Sequence, residues 1–298
     1  MTEPGSNWQE WIGRYEVRHD VVTPGLVTRF GATLDRVVNG DAAPQGIHWC
    51  LCLPDAPTAQ LGDDGHPRRA GLPAGKAKAD PRTDDLDDNF LPPIPLPRRM
   101  WASSKVEFAE PIRVGAAIQR TSTIANIADK TGSSGRLVFV TIAHETLSDG
   151  VISVREDQTI VYRDASTAAP AFSAPRTGSA QFDKRQWPVS RTLTPGEAML
   201  LRYSALTFNA HRIHYDLPYA REAEGYAGLI VHGPLTATLL LQFANDQFGA
   251  LRHFAFRGLA PAFCGEAMTL VARRDGASLT LAALGPMGDI IMTAEGLI

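Results

Sequence analysis

The chain has 298 residues, 44% of them hydrophobic and 20% charged, with a formal net charge of −3. That suits one large domain or two ordinary ones, and it lacks the basic excess that would draw a protein to nucleic acid or an anionic membrane surface. No apolar run approaches the roughly 20 residues that span a bilayer, and Met1 to Asp20 lacks a signal-peptide core.

Three cysteines, Cys50, Cys52 and Cys264, cannot make a disulfide framework. Cys50 and Cys52 have no second pair with which to hold a metal tetrahedrally, so they read as buried thiols of a reducing, cytoplasmic compartment, and no metal site is expected.

Thr23-Pro24 opens a predicted helix, since Thr is a good N-cap and Pro is favoured at the first helical position. Leu26, Val27, Phe30, Leu34 and Val37 then fall near helical spacing. Ile47 to Leu53 reads as a short strand. From Pro54 to Pro97 the chain is rich in Pro, Gly and Asp, including the run Asp84 to Asp88, and reads as a long loop of the functional or mobile kind. Trp101 to Arg163 is strand-rich, with a hairpin dipeptide at Asp149-Gly150. Residues 164–188 read as a linker.

The second half repeats the plan. A helical stretch from Pro195 to Phe208 is followed by a polar, His-rich segment, Asn209 to Asp216. His232-Gly233-Pro234 opens another helix, with Leu235, Leu239, Leu240 and Phe243 on one face. Strands are expected around 253–257, 267–273, 278–284 and 290–294, with a hairpin at Asp275-Gly276. Phe108 to Gly115 can be laid against Gly258 to Gly265, each with Pro and Gly four apart before a long strand. Two copies of a helix followed by a strand meander suggest a duplicated α+β fold.

The segment from Tyr203 to Asp216 concentrates polar and titratable groups between two apolar helices, and Gly228 to Pro234 lies about 18 residues on. Hydrating a conjugated thioester needs a base for water, a proton donor for the carbon beside the carbonyl, and hydrogen-bond donors for the growing oxyanion. A histidine suits the first task. A backbone N–H at a helix N-terminus suits the last, and Gly233 would let a ligand approach closely.

These residues resemble the MaoC-like hydratase/dehydratase family, which has the hot-dog fold. Its motif is Asp-x-Asn-Pro-x-His, followed by Ala-His-Gly at the start of the central helix. Here Asn209 falls at the Asp, His211 at the Asn, Arg212 at the Pro and His214 at the His, and Val231-His232-Gly233 at Ala-His-Gly. The stretch from Ala205 to Tyr215 is similar to a subgroup with mesaconyl-C4-CoA (3-methylfumaryl-CoA) and itaconyl-CoA hydratases and 3-hydroxyacyl-thioester dehydratase type 2. Pro97 to Ala102 resembles the companion dehydratase-like half.

The resemblance implies a double hot-dog fold: a degenerate N-terminal unit (1–165), a linker (166–188) and a catalytic C-terminal unit (189–298). It implies reversible hydration of an enoyl-CoA, first mesaconyl-C4-CoA or itaconyl-CoA to citramalyl-CoA. A 3-hydroxyacyl-thioester dehydratase and an acyl-CoA thioesterase are the alternatives, and a non-catalytic acyl-binding module is a further one. Coenzyme A arrives as part of the substrate and no other cofactor is expected. A homodimer is expected, with no nucleic-acid or membrane partner.

His214 is then the base, Gly233 the oxyanion donor and Asn209 the water holder. The departure at Asn209 leaves the second proton donor unassigned, because a carboxamide cannot act as a general acid. Tyr203, Ser204, His211, Arg212, His232 and Arg99 are the candidate substrate contacts, with His232 shaping the turn. Asp216 is expected to cap or pair locally and His144 to be a sheet residue. A substrate carboxylate would call for an arginine, for which Arg98, Arg99, Arg202 and Arg212 are placed. A thioesterase would place an acid on or near the central helix, and Asp246 lies at its far end.

Overall fold

The computed structural model describes residues 8–38, 40–68, 90–132, 135–164, 176–178 and 180–298. The acidic run Asp84 to Asp88 and the first part of the expected linker lie outside them.

Ten antiparallel strands form one sheet: β1 (Tyr15–Val21), β2 (Arg98–Phe108), β3 (Ala117–Gly132), β4 (Gly135–Ser148), β5 (Val151–Arg163), β6 (Val189–Leu193), β7 (His253–Gly258), β8 (Met268–Asp275), β9 (Ser278–Leu284) and β10 (Ile290–Leu297). Their order is β1-β3-β4-β5-β2-β7-β10-β9-β8-β6. The first five read 1-3-4-5-2 from the outside in, and the last five read 6-8-9-10-7 from the other edge. The sheet is thus two five-stranded units of one topology, joined where β2 pairs with β7 from Ser103↔Arg257 to Glu107↔His253. The faint internal match is a real equivalence: both segments leave these two central strands, and Gly115 and Gly265 both have positive φ (92° and 83°).

Asp149-Gly150 turns β4 into β5 with both residues at positive φ (49° and 80°), as a type I′ hairpin requires. The outermost strands β1 and β6 were not foreseen. Among the described residues each pairs on one side only, and the charges along Tyr15–Val21 suit an edge strand. Ile47 to Leu53 is a correction. It is not a strand: Ile47–Cys50 forms a 3₁₀ turn entered through Gly46 (φ 92°). Every residue from Ile47 to Cys52 is buried, and a short run that is apolar throughout has no period to separate the two states.

Four helices accompany the sheet: α1 (Pro24–Thr33), α2 (Glu197–Leu206), α3 (Leu217–Glu222) and α4 (Gly233–Phe248). Thr23 caps α1 as expected, its hydroxyl accepting from Leu26 N–H at 3.1 Å, whereas Val37 lies beyond the helix and is exposed. The apolar face assigned to α4 is too narrow. Residues 235 to 244 are all buried, because the sheet covers one side and the N-terminal segment around Gln45 the other; the Gln242 amide donates to Gln45 O at 2.5 Å. An all-round buried helix needs no amphipathic stripe.

One core runs through both units, from Phe30 and Trp49 through Leu235 and Leu240 to Leu270 and Leu281, each large side chain contributing about 1.5–3 kcal/mol by burial. A second cluster packs Ile94 and Leu96 of the Pro-rich segment against Val138, Val140 and Tyr162. Within the expected linker, Ala180, Phe182 and Trp187 pack on Val271, Ala282 and Leu284, and Arg176 pairs with Glu266 at 2.8 Å. The three cysteines are free and buried.

Candidate active site

The His-rich segment leaves α2 through Phe208, whose positive φ (48°) makes the turn. It then forms a 3₁₀ turn over Arg212–His214, and Asp216 caps α3 by accepting from Tyr219 N–H at 3.1 Å. This delivers His214 into the interior, where only 7% of it is exposed. Its Nδ1 lies 2.8 Å from the carbonyl of Ile230. A carbonyl only accepts, so Nδ1 carries the proton and Nε2 holds the lone pair. Burial pushes its pKa down to about 4, partly offset by the Ile230 bond, so the ring is neutral at ordinary pH.

His214 stacks on His232, with centroids 3.6 Å apart and planes at 17°. His232 is the N-cap of α4, and its Nε2 hydrogen-bonds Ser204 Oγ at 2.8 Å. Burial holds His232 well below its usual pKa as well. Tyr203 is fully buried behind it, ring edge to His232 and hydroxyl 3.3 Å from Thr238. Tyr203 and Ser204 therefore support His232 from behind. Helix geometry leaves the Gly233 N–H without an intrahelical acceptor, and Pro234 has no N–H to give. His232, whose ring stacks on His214, immediately precedes Gly233 in the chain.

Asn209 and Arg212 have structural partners. Asn209 Oδ1 accepts from His211 N–H at 2.9 Å, closing a local turn. Arg212 points outward: it pairs with Asp216 at 2.7 Å, donates to Asp63 O and lies over Tyr219. Its guanidinium is thereby engaged in an (i, i+4) ion pair on the flank of the turn. Arg98 is bound by Glu224 at 3.0 Å, and Arg202 is exposed, reaching Ala32 O at 3.4 Å. Arg99 makes no ion pair among the described residues, is half-buried, and its positive charge is felt at His211. Asp246 is held by Arg36 at 2.5 Å and Arg191 at 2.8 Å at the far end of α4. His144 is in β4, bonded to Ser122 and Gln158.

The long loop of the N-terminal half supplies two residues that the sequence reading missed. Asp64-Gly65-His66 docks on the segment after Asn209: Arg212 N–H donates to Asp64 O at 2.9 Å. His66 Nδ1 lies 3.0 Å from Asp64 Oδ2, and its ring lies 4.1 Å from that of His211, which in turn is 5.5 Å from His214. Asp64, His66 and His211 present donor atoms within 4.8 Å of one another, a spacing a cation could use. Both Asp64 oxygens, however, already accept from His66, Oδ1 from its backbone N–H at 3.0 Å. Gly65 (φ 86°) is dictated by this contact: a Cβ there would sit 1.9 Å from Ala210 O. The signal available in the sequence was a lone Asp-Gly-His turn inside a loop already read as functional.

Comparison with known proteins gives the family and the fold. The hydroxyacyl-thioester dehydratase type 2 family profile matches residues 46–264, spanning the docking loop, the His-rich segment and α4. Mesaconyl-C4-CoA hydratase of Chloroflexus aurantiacus is 37% identical over 294 residues, 97% of each chain. Among solved structures, a MaoC-like dehydratase from Phytophthora capsici superposes with a TM-score of 0.65 at 14% identity, covering 96% of this chain and 95% of that one. A Mycobacterium tuberculosis protein described as a double hotdog fold superposes at 0.56 with 10% identity, covering 96% and 95%. The fold is a double hot dog, and the chain belongs to the hydroxyacyl-thioester dehydratase type 2 family.

Proposed function

We propose that the chain catalyses reversible hydration of an enoyl-CoA thioester, with mesaconyl-C4-CoA to citramalyl-CoA as first substrate and itaconyl-CoA as the next. The single observation that carries this reading is His214: buried, neutral, and fixed by Ile230 in the tautomer whose Nε2 accepts a proton. Nε2 takes a proton from water as the oxygen adds to the β-carbon. The electron pair of the double bond moves onto the thioester oxygen, where the Gly233 N–H and the positive end of α4 stabilise it. A second proton then reaches the α-carbon. The Asn209 amide NH₂ can hold the water, its oxygen being used within the turn.

Arg99 supports the dicarboxylic substrate, as a cation that makes no ion pair among the described residues and whose charge is felt at His211. The likeness along nearly the whole chain to a mesaconyl-C4-CoA hydratase supports it further. The alternative, a 3-hydroxyacyl-thioester dehydratase of fatty-acid metabolism, is favoured by the 32% identity over 124 residues to the mitochondrial type 2 enzyme of Schizosaccharomyces pombe. Hydrolysis of the thioester is disfavoured because Asp246 is ion-paired away from the helix N-terminus. The reaction needs no further cofactor. We also propose a homodimer, since among the described residues β1 and β6 each pair on one side only, and a cytoplasmic location, from the three free cysteines; light scattering tests the mass.

Initial rates with mesaconyl-C4-CoA and crotonyl-CoA, measured side by side, test the substrate assignment. The dicarboxylic thioester is expected to be preferred at least tenfold in kcat/KM, and a preference for crotonyl-CoA would overturn it.

A further inference from the structure

Position 209, where the family's motif carries a carboxylic acid, is a carboxamide whose oxygen is spent on His211 N–H. Hydration still requires a proton for the α-carbon, and water alone is a poor acid near neutral pH. The docked loop brings one acid-base pair to this place. Asp64 grips the His66 ring through Nδ1 and the backbone of the same residue through its other oxygen. Gly65 lets that loop close onto Ala210 with no room for a side chain, so the pair is held in register with the segment that carries His214. We propose that His66, whose Nδ1 is hydrogen-bonded to Asp64, is the general acid that supplies the second proton; this rests on the hydratase reading above.

The chemistry balances. Nε2 of His214 gains a proton from water as the C–O bond forms, and the electron pair of the carbon–carbon double bond becomes an enolate. The enolate α-carbon takes the proton from His66, leaving its ring neutral. Solvent then returns a proton from His214 to His66. In dehydration the same two residues exchange roles.

Burial would raise the Asp64 carboxyl, but the hydrogen bond and charge of His66 hold it below its ordinary range. His211 falls to about 2, through burial first and the charge of His66 next, so it stays neutral between the acid and the base. Around His66 stand Asp63 and Asp64 on its own loop, His211, Arg212 and His214 on the docking segment, and Tyr219 on α3, which feels Asp64. Arg99 on β2 reaches His211. Asp64 is an anion in direct contact with the ring at Nδ1, so removing it should weaken the hold of the ring on its proton.

The test is the pH dependence of kcat for hydration of mesaconyl-C4-CoA by the full chain and three variants. His66→Gln is expected to lose kcat at least 100-fold with KM within a few-fold. Asp64→Asn is expected to keep its activity on the acid side and to move the alkaline fall about one pH unit or more lower. A merely structural role for the loop would not produce that shift. Asn209→Asp in the His66→Gln background should restore turnover at least tenfold. His66→Gln within threefold of the parent, or Asp64→Asn with an unmoved alkaline limb, would overturn the proposal while leaving His214 in place. A parent chain inert to every enoyl-CoA would instead overturn the hydratase reading, and this assignment with it.

Discussion

The imidazoles of His214 and His232 stack at 3.6 Å, and each is fixed by a different hydrogen bond: Nδ1 of His214 to the Ile230 carbonyl, Nε2 of His232 to Ser204. Two stacked imidazolium ions at that distance would repel strongly. Burial keeps both neutral, so one can accept a proton during turnover without a charged neighbour. His232 thus packs against the face of the proposed base while standing at the N-cap of the helix proposed to hold the oxyanion.

That arrangement predicts acid sensitivity of the fold. An unfolded histidine binds a proton below pH ~6.5, whereas folded His214 and His144 do so only near 4. Between these values the unfolded chain holds more protons, so stability falls as pH drops from 6.5 toward 4 and changes little above 7. Each full shift is worth roughly 3 kcal/mol at its acid limit. Thermal unfolding followed from pH 7.5 to 4.5 should show a falling Tm, and a flat profile would contradict the buried neutral histidines.

Gly233→Ala should fold normally. The backbone at 233 is helical, and a Cβ there would meet Trp101 O only at 3.6 Å, ordinary contact. The methyl would instead occupy the space where the thioester must approach the N–H. We expect kcat/KM to fall tenfold or more with Tm within a few degrees of the parent. Unchanged kinetics would place the oxyanion elsewhere.

Arg99→Gln separates the substrates. Losing a charge-assisted contact of about 1.5–3 kcal/mol should lower kcat/KM for mesaconyl-C4-CoA roughly 10- to 100-fold. Crotonyl-CoA, which has no carboxylate, should change less than about threefold. Equal losses on both would remove Arg99 as the carboxylate partner.

Gly65→Ala should detach the loop from the segment after Asn209, since its Cβ would collide with Ala210 O. Limited proteolysis within 61–68 should accelerate, and turnover should fall far more than global stability. Equal protection in parent and variant would contradict the docked loop.

How far the sequence went is clear in particular elements. The strands after Trp101 were legible because hydrophobic alternation and Asp-Gly turns are local signals, and the duplication showed through Gly115 and Gly265 because both must take positive φ. The closeness of His214 to His232 was foreshadowed by the spacing of Asn209, His214 and His232-Gly233. The turn at Ile47–Cys50 was not, because a run buried on every side carries no period. Edge strand β1 was masked by its charges, and β6 by its length of only 5 residues. Arg212 could not be assigned to Asp216 rather than to the substrate, since both directions suit a guanidinium. His66 was beyond reach for another reason: its place depends on a contact between residues 65 and 210, set by tertiary packing alone.

The central claim is that a neutral His214 activates water for addition to an enoyl thioester. The most direct measurement is the loss of enoyl-thioester absorbance with mesaconyl-C4-CoA in ¹⁸O-labelled water, for the parent chain and for His214→Ala. The parent should form ¹⁸O-labelled hydroxyacyl-CoA with the thioester intact. His214→Ala should turn over at least 100-fold more slowly while binding the substrate within a few-fold. Turnover by His214→Ala at the parent's rate, or release of free coenzyme A in place of a hydroxyacyl product, would contradict it.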